Sequence, residues 1–512
     1  MTRKQIIVDG AVVATVGLLF QLIWAWQLPL PRYMDSYYYT TNGQQIASGA
    51  GLNEEIIWQF LDEPTRLPVP SHSYWMPLPS FLAASGYLFS DSFRAAQAPF
   101  WFMSGLLPLL AYWIGQQLGL KRWQCLSGAL FTAAGGFYAG WLNQPATFAP
   151  FAWFGGLCLL QLIIGVTNGK WHSWVLAGVL AGLAHLTRAD GLLFLITAVF
   201  IIFLTHWQKK SGWMQEAGLL TAGYLLAMGG WFVRNMLIWQ RPLPTAGTQT
   251  IFLTTYDDLF AYGRSFDLNH LLEWGWGNII SSRLDALSLS IQTFIAINSL
   301  IFLFPFVVWG WFVLFRKKRQ LVLPWTVYAI GLYVAMTFVF TFPGMRGGLF
   351  HSSIAIWPFC MIMAPVGIEQ AVNAVAKRLP HWQPERAMRL FTGLFVVTAF
   401  VMTTALTVAR QNEEDVATAV YQEIGTMLPT DSVVMVGNAP HFFFHTGLNA
   451  VSIPNEPLPI LLDALEAFRV DYLILDANTP VPLLPLYQME QASPQINLLQ
   501  QMGDYQLYEI IQ

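Results

Sequence analysis

Eleven long apolar runs divide this 512-residue chain, and they constrain its fold more than any other feature. A helix needs about 20 apolar residues to cross a bilayer core of roughly 30 Å. Apolar residues make up 55 % of the chain and charged residues only 11 %, which is too little polar surface for a soluble globule of this size. The sequence predicts a polytopic α-helical membrane protein with about 11 transmembrane helices, near residues 10–28, 95–118, 124–141, 148–166, 173–187, 190–205, 214–233, 287–315, 321–342, 352–372 and 391–409.

The eight lysines indicate how the chain crosses the membrane. Short cytoplasmic loops accumulate Lys and Arg, so the loops that contain lysine are predicted to be cytoplasmic and the alternate loops to face outward. An odd number of spans then places the N-terminus in the cytoplasm and the C-terminal tail outside. The lysines fall at the N-terminus and in alternate loops, at Lys4, Lys121, Lys170, Lys209, Lys210, Lys317, Lys318 and Lys377.

Three outward pieces are long enough to carry a function. Two are the loops 29–94 and 234–286, and the third is the tail. The chain therefore divides into a predicted transmembrane unit at 1–409 and a small extracytoplasmic α/β domain at 410–512. The tail has no Gly-rich phosphate loop and no catalytic-triad spacing, which favours a docking or lid role. Its periodicity predicts helices at 412–428 and 461–468 and strands at 431–438, 449–453, 471–476 and 505–511.

The stretch PRYMDSYYYTTNGQQIASGAG, residues 31–51, follows the first apolar run directly. Asp35 precedes a predicted helix that ends at Gly49, so one interpretation is an N-cap carboxylate that satisfies free backbone N–H groups. A functional interpretation is also open, because the loop is long for a connector. The loop adds polar and aromatic side chains at Glu54, Glu55, Asp62, Glu63, Arg66, His72 and Tyr74.

The order of three motifs resembles the GT-C glycosyltransferases, and more closely the family 39 relatives of protein O-mannosyltransferases and of the lipid A aminoarabinose transferase. Asp35 and the tyrosines after it resemble the acidic start of that family's first outer loop. HSYWMPLPSFLAA resembles its aromatic-Pro entry into the membrane, and HLTRADGLLFL, residues 185–195, its Leu-Thr-Arg-Pro-Asp-Gly motif. Ser36 stands where the family usually has a second acid, and Ala189 where it has proline.

The resemblance implies a GT-C fold and an enzyme of the bacterial plasma (inner) membrane. The donor implied is a sugar on a polyprenyl phosphate, transferred with inversion to a lipid, glycan or protein acceptor on the outer face. Asp35 is the candidate general base, a role that contributes roughly 10²–10⁴-fold to a rate. Membrane lipids are expected partners and nucleic acid is not.

The departing phosphate would need cations, and arginine can hold two phosphate oxygens at once. Each candidate also has a structural interpretation as an arginine that extends to the membrane interface. Arg188 has a further one, an ion pair with Asp190 in a tight turn. The outward arginines beside apolar runs or in the second long loop are Arg188, Arg234, Arg264 and Arg346.

Histidines and tyrosines complete the candidate substrate-binding set. The spacing of the histidines gives no support to a metal site, although a divalent metal is not excluded, and no cofactor is predicted. His441 and His445 have the i, i+4 spacing of a helical metal site, but their run HFFFH is more strand-like, which favours packing. The remaining candidates are His72, His351, Tyr37, Tyr38 and Tyr74.

Two other classes of function compete with the enzyme. A lipid or solute transporter would need ionisable groups near the bilayer midplane, whereas Asp9, Glu216 and Glu369 fall near the inner ends of spans. A non-catalytic membrane assembly protein would use its outer domain to bind a partner. It would keep its activity when Asp35 is replaced by asparagine, whereas the enzyme would lose sugar transfer.

Overall fold

The computed structural model describes residues 1–207, 212–244, 246–379, 381–411 and 416–511. Lys209, Lys210 and the first residues of the predicted helix 412–428 lie outside these ranges. The part before the tail is mostly helical. Its α-helices are α1 (Arg3–Trp26), α2 (Met34–Ser48), α3 (Leu78–Tyr87), α4 (Phe93–Gln117), α5 (Arg122–Ala134), α6 (Ala139–Leu142), α7 (Phe148–Asn168), α8 (Trp171–Thr187), α9 (Leu192–His206), α10 (Trp213–Trp239), α11 (Ala246–Gln249), α12 (Leu268–Glu273), α13 (Trp276–Ala296), α14 (Phe304–Lys317), α15 (Arg319–Val334), α16 (Thr341–Pro343), α17 (Leu349–Ser353), α18 (Trp357–Ala376) and α19 (Pro384–Gln411).

The chain is a multi-pass membrane protein, as predicted. In the described residues, seven helical segments are long and apolar enough to cross a bilayer. The remaining predicted runs coincide with helices that are shorter or more polar, among them α5, α8 and α10. The run 124–141 is interrupted after α5 by Gly135 at positive φ, and 287–315 was also predicted wrongly, because it is divided between α13 and α14. The break between them contains Leu300 and Ile301 at positive φ, a conformation that sequence periodicity does not reveal.

Contacts in the membrane unit bring segments predicted to be cytoplasmic together at one end and segments predicted to face outward together at the other. Arg122 pairs with Asp9 at 2.6 Å, and Lys121 pairs with Glu369, so segments predicted to be cytoplasmic meet at one end. At the other end, Arg188 lies beside residues that precede α7 and end α17. The structure thus supports the grouping of the loops, while the side of the membrane that each group faces stays a prediction.

The tail is a small α/β domain, as predicted. The strands at 431–438, 449–453, 471–476 and 505–511 are all present, and so is the helix at 461–468. The run that contains His441 and His445 was predicted wrongly, because it is helical and Asn438 caps it by accepting a hydrogen bond from the His441 N–H. The domain contains α20 (Val416–Met427), α21 (Ala439–Thr446), α22 (Leu458–Ala467), α23 (Leu484–Tyr487), β4 (Val433–Val436), β5 (Asn449–Ser452), β6 (Tyr472–Leu475), β7 (Ile496–Met502) and β8 (Tyr505–Ile510).

The first outer loop adds a strand to the sheet of the tail. This loop carries β1 (Asn53–Glu54), β2 (Ile56–Ile57) and β3 (Val69–Pro70), and β2 pairs in parallel with β5. The sheet order is β2-β5-β4-β6-β8-β7, with β2, β5, β4 and β6 parallel. Side chains alternate along a strand. Ile56 therefore packs with α20 and α21 on one face, and Ile57 with α22 on the other.

The two isoleucines should therefore stabilise the tail although they lie in another part of the chain. Ile57 is 2 % exposed, and Ile57→Ala is expected to lower the free energy of unfolding of the tail by about 2–5 kcal/mol. Hydrogen exchange at the amides of β5 measures this change. Ile511→Ala, at a side chain 52 % exposed in the same domain, is the control. Equal exchange in the two variants would show that β2 contributes nothing.

Candidate active site

Asp35 lies in the first turn of α2, at its second residue. The N-cap position belongs to Tyr33, whose side chain makes no capping hydrogen bond, so the interpretation of Asp35 as an N-cap does not hold. The helix ends at Gly49, as predicted, in the left-handed conformation that glycine adopts readily. A carboxylate in the first turn is still favoured by the positive end of the helix dipole.

The Asp35 side chain is half-buried, and its pKa is raised. In the described residues it makes no ion pair and no hydrogen bond to another side chain. Burial raises the pKa of Asp35 to about 6, and the nearby positive charge of Arg188 limits that rise. A carboxylate with a raised pKa and no fixed partner is a candidate general base near neutral pH.

Arg188 follows α8 and is held in place by three oxygen atoms. Its Nε donates to Asp190 at 2.9 Å and to Ser352 at 3.1 Å, and Nη1 lies 3.5 Å from the Thr147 hydroxyl. The predicted local ion pair with Asp190 is therefore present. Nη2 makes no hydrogen bond to any described residue, which leaves a donor available for an anion.

His351 joins the same network. Its Nδ1 is 3.0 Å from the hydroxyl of Thr147, and its ring stacks on Phe148. The neighbouring Ser352 hydroxyl donates to Asp190. Hydrogen bonds of Ser352 with Arg188 and Asp190 thereby join the turn between α8 and α9 to the end of α17.

Arg346 is the second candidate cation, and Tyr256 links it to Asp35. It is exposed and lies in a π-helical turn, Gly344–Gly348. Its guanidinium lies 5.3 Å from the centre of the Tyr256 ring and makes no ion pair with a described residue. Burial and the charge of Asp35 raise the pKa of Tyr256 to about 12, and the charge of Arg346 opposes the rise. Tyr256 is therefore close to Arg346 and within electrostatic reach of Asp35.

Tyrosines surround Asp35, and only one of them was predicted as a candidate. Tyr74 is half-buried, and its pKa is raised by burial, with Asp35 contributing and Arg188 opposing. Tyr39 is buried on the same side of α2 as Asp35. Its i+4 spacing from Asp35 is a sequence signal that could have identified it. Tyr256 has no such signal, because it comes from the other outer loop.

Three predicted residues lie in a separate buried cluster and do not face Asp35. The His72 N–H donates to the Tyr38 hydroxyl at 2.9 Å, and the ring nitrogens of His72 contact Ser71 and Ser80 at 2.7 and 2.9 Å. Burial, assisted by the charge of Arg234, lowers the pKa of His72 to about 3. Arg234 donates to the carbonyl of Ser71 at 2.8 Å. These contacts hold the loop on the membrane unit.

The other two candidates contact the tail. Tyr37 stacks on His441 with ring centres 4.2 Å apart, so it joins α2 to α21. Arg264 donates to Glu456 at 2.6 Å and lies 3.7 Å from a carboxylate oxygen of Asp258. Across the described ranges, no group of three or more His, Cys, Asp and Glu side chains could hold a metal ion.

An apolar cleft opens beside the turn that carries Arg346. It has a volume of about 440 Å³ and lies between α13, α14 and α15. A Cβ added to Gly344 would lie 2.4 Å from the carbonyl oxygen of Met336, so the Arg346 turn packs closely on the turn that ends the cleft. The cleft is lined mainly by Leu287, Phe294, Trp311, Tyr333, Thr337 and Phe338.

Solved structures share the fold of this chain. ArnT from Cupriavidus metallidurans bound to undecaprenyl phosphate matches with a TM-score of 0.57 and 13 % identity, over 97 % of this chain and 97 % of ArnT. The chain has the GT-C fold. Apo ArnT matches with a TM-score of 0.57 and 13 % identity, over 98 % of this chain and 97 % of ArnT.

A second GT-C protein has a similar fold. The archaeal oligosaccharyltransferase AglB from Archaeoglobus fulgidus, in complex with an inhibitory peptide and a dolichol-phosphate, matches with a TM-score of 0.55 and 11 % identity, over 94 % of this chain and 70 % of AglB. No protein-family model and no curated protein sequence matches the chain. At these identities the likeness shows the GT-C fold alone, so the roles of individual residues depend on their geometry.

The buried cluster makes stability depend on pH through Glu54. Burial raises the pKa of Glu54 to about 8, although hydrogen bonds from Tyr38 and Asn42 oppose the rise. The folded state therefore binds a proton that the unfolded state releases at a lower pH, so stability falls as pH rises from about 4.5 to about 8.

Glu54→Gln removes this titration. Its melting temperature relative to wild type should rise between pH 5 and about 8 and then level off. Thermal unfolding in detergent across that range measures the difference. Glu55→Gln, at the exposed neighbouring carboxylate, is the matched control and should show no such trend. A constant difference between Glu54→Gln and wild type would contradict the assignment.

Proposed function

We propose that this protein is a membrane glycosyltransferase that moves a sugar from a polyprenyl-phosphate donor to a hydroxyl of a lipid, glycan or protein acceptor. The observation that carries the proposal is Asp35, a half-buried carboxylate with a raised pKa that has no ion pair with any described residue. The charge of Arg188 acts on it directly, and Tyr256 links it to Arg346. A base with cations in the same region suits displacement of a phosphate by a hydroxyl.

In the proposed reaction the acceptor oxygen attacks the anomeric carbon from the side opposite the phosphate. Asp35 accepts the proton from the attacking hydroxyl as the new bond from oxygen to carbon forms. The bond between the anomeric carbon and the phosphate oxygen breaks, and polyprenyl phosphate leaves with the bonding electrons. The free Nη2 of Arg188 and the guanidinium of Arg346 stabilise its negative charge, and a single displacement inverts the anomeric configuration.

The apolar cleft gives the lipid chain of the donor a place beside the anion site. Phe338 and Thr337 line the cleft in the turn that packs against the Arg346 turn, so a chain in the cleft would bring its phosphate to that arginine. The cleft offers almost only carbon surface, which suits a polyprenyl chain and not a sugar.

The structural neighbours support the donor class, because ArnT binds undecaprenyl phosphate and AglB binds dolichol-phosphate. We place the reaction on the outer face of a bacterial plasma membrane, with the N-terminus in the cytoplasm and the C-terminal domain outside. The distribution of lysines supports this orientation.

Replacing the base tests the chemistry directly. Asp35→Asn should lower transfer roughly 10²–10⁴-fold, because an amide cannot accept the proton of the acceptor. Radiolabelled polyprenyl-phosphate sugars with membrane extract, and purified wild type beside the variant, measure transfer. In the wild type, kcat/KM should fall as the pH drops below about 6, because a proton then occupies the carboxylate.

Stability separates a lost base from a lost fold. Because burial disfavours the ionised form, Asp35→Asn should melt no lower than wild type at pH 8, where wild-type Asp35 is charged. Full transfer activity in Asp35→Asn would instead favour the non-catalytic assembly protein.

Arg346 can be tested by binding alone. Arg346→Ala should weaken binding of undecaprenyl phosphate about 10- to 100-fold, because a charged hydrogen bond contributes roughly 1.5–3 kcal/mol. Its exposure and lack of an ion pair predict an unchanged melting temperature. Arg241→Ala is the control, because Arg241 is also an exposed arginine and lies in the second outer loop. Equal affinities of wild type and Arg346→Ala would remove Arg346 from the site.

A further inference from the structure

The tail contacts the second outer loop at the edge where open α/β sheets bind ligands. The strands β4, β5 and β6 are parallel, and ligands of such sheets bind beyond the carboxyl ends of the strands. Here that edge contacts the membrane unit. The Asn455 N–H, just beyond β5, donates to the carbonyl of Phe260 at 2.8 Å, and the buried Glu456 accepts from Arg264 at 2.6 Å.

Arg264 connects Glu456 of the tail to the turn that begins at Tyr256. Its guanidinium also lies 3.7 Å from Asp258, a buried carboxylate. Asp258 closes the turn by accepting from the N–H groups of Thr254 and Thr255 at 2.9 and 3.0 Å. Tyr256 follows directly, so its position depends on an ion-pair chain that starts in the tail.

Both sides of the candidate site are attached to the tail. Tyr256 lies under the Arg346 guanidinium, and its loop is held by Glu456 through Arg264. Asp35 is on α2, which stacks Tyr37 on His441 of α21. Loss of either contact with the tail would therefore release one side of the site from the other.

We propose that Arg264 and Glu456 are positioning residues, through which the C-terminal domain holds Tyr256 beside Arg346 and completes the donor site. The domain acts as a fixed clamp and not as a moving lid. This inference rests on the proposed function, since it concerns the affinity of the same site for a lipid phosphate.

Binding of undecaprenyl phosphate to the full-length protein is the first test. Glu456→Gln and Arg264→Gln should each weaken binding about 5- to 10-fold, as should Tyr256→Ala, and the double variant Glu456→Gln/Tyr256→Ala should bind no more weakly than Tyr256→Ala. A general loss of folding would not produce that non-additivity. Glu466→Gln, at an exposed carboxylate of the same domain, and Tyr262→Phe, in the same loop, should bind like wild type.

The outcomes separate this inference from the proposed function. If wild type binds undecaprenyl phosphate and Arg346→Ala does not, while Glu456→Gln and Arg264→Gln bind like wild type, the clamp is overturned and the donor site remains. If wild type does not bind the lipid at all, the proposed function fails and the clamp fails with it.

A disulfide provides a second, independent test. The three native cysteines are fully buried, so Phe260→Cys/Asn455→Cys introduces the only accessible pair in the described residues. The fixed clamp predicts that the oxidised protein keeps its affinity and turnover. A loss of binding or turnover that appears on oxidation and that reductant reverses would show that the two segments must separate, and it would overturn the proposal.

Discussion

The half-buried carboxylate of Asp35, which has no ion pair with any described residue, is the constraint on which the candidate site depends. Burial disfavours the ionised form of Asp35, and the structure offsets that cost only in part, through the charge of Arg188 and the first turn of α2. A full ion pair would remove the cost, and Asp190 has such a pair with the same arginine. The two aspartates near Arg188 therefore differ in their contacts. Asp190 holds the guanidinium through an ion pair, and Asp35 is the base of the proposed reaction.

The outer loops and the tail form one structure, although the sequence separates them widely. Ile56 and Ile57 complete the sheet of the tail, Tyr37 stacks on His441, and Arg264 pairs with Glu456. Residue 410 therefore separates the two parts along the sequence, but the two parts pack against each other. The tail alone would lack an edge strand and both isoleucines, so its stability depends on the membrane unit.

The sequence predicted what local periodicity determines. Apolar runs predicted the membrane helices, because the bilayer sets their length, and alternation predicted four strands of the tail. It predicted HFFFH wrongly, since a short apolar run fits either period and the cap at Asn438 decides for a helix. Tyr39 could have been predicted as a site residue from its spacing to Asp35. Tyr256 and β2 could not have been predicted, because their positions depend on contacts between distant segments.

The two arginines of the candidate site, Arg188 and Arg346, differ in the number of their contacts. Arg188 is fixed by hydrogen bonds to Asp190 and Ser352, so it loses little side-chain entropy when it meets an anion. Among the described residues, the contact given for Arg346 is with an aromatic ring. In the proposed reaction, Arg188 would therefore define where the phosphate sits at small entropic cost, whereas Arg346 would have to be ordered by that phosphate.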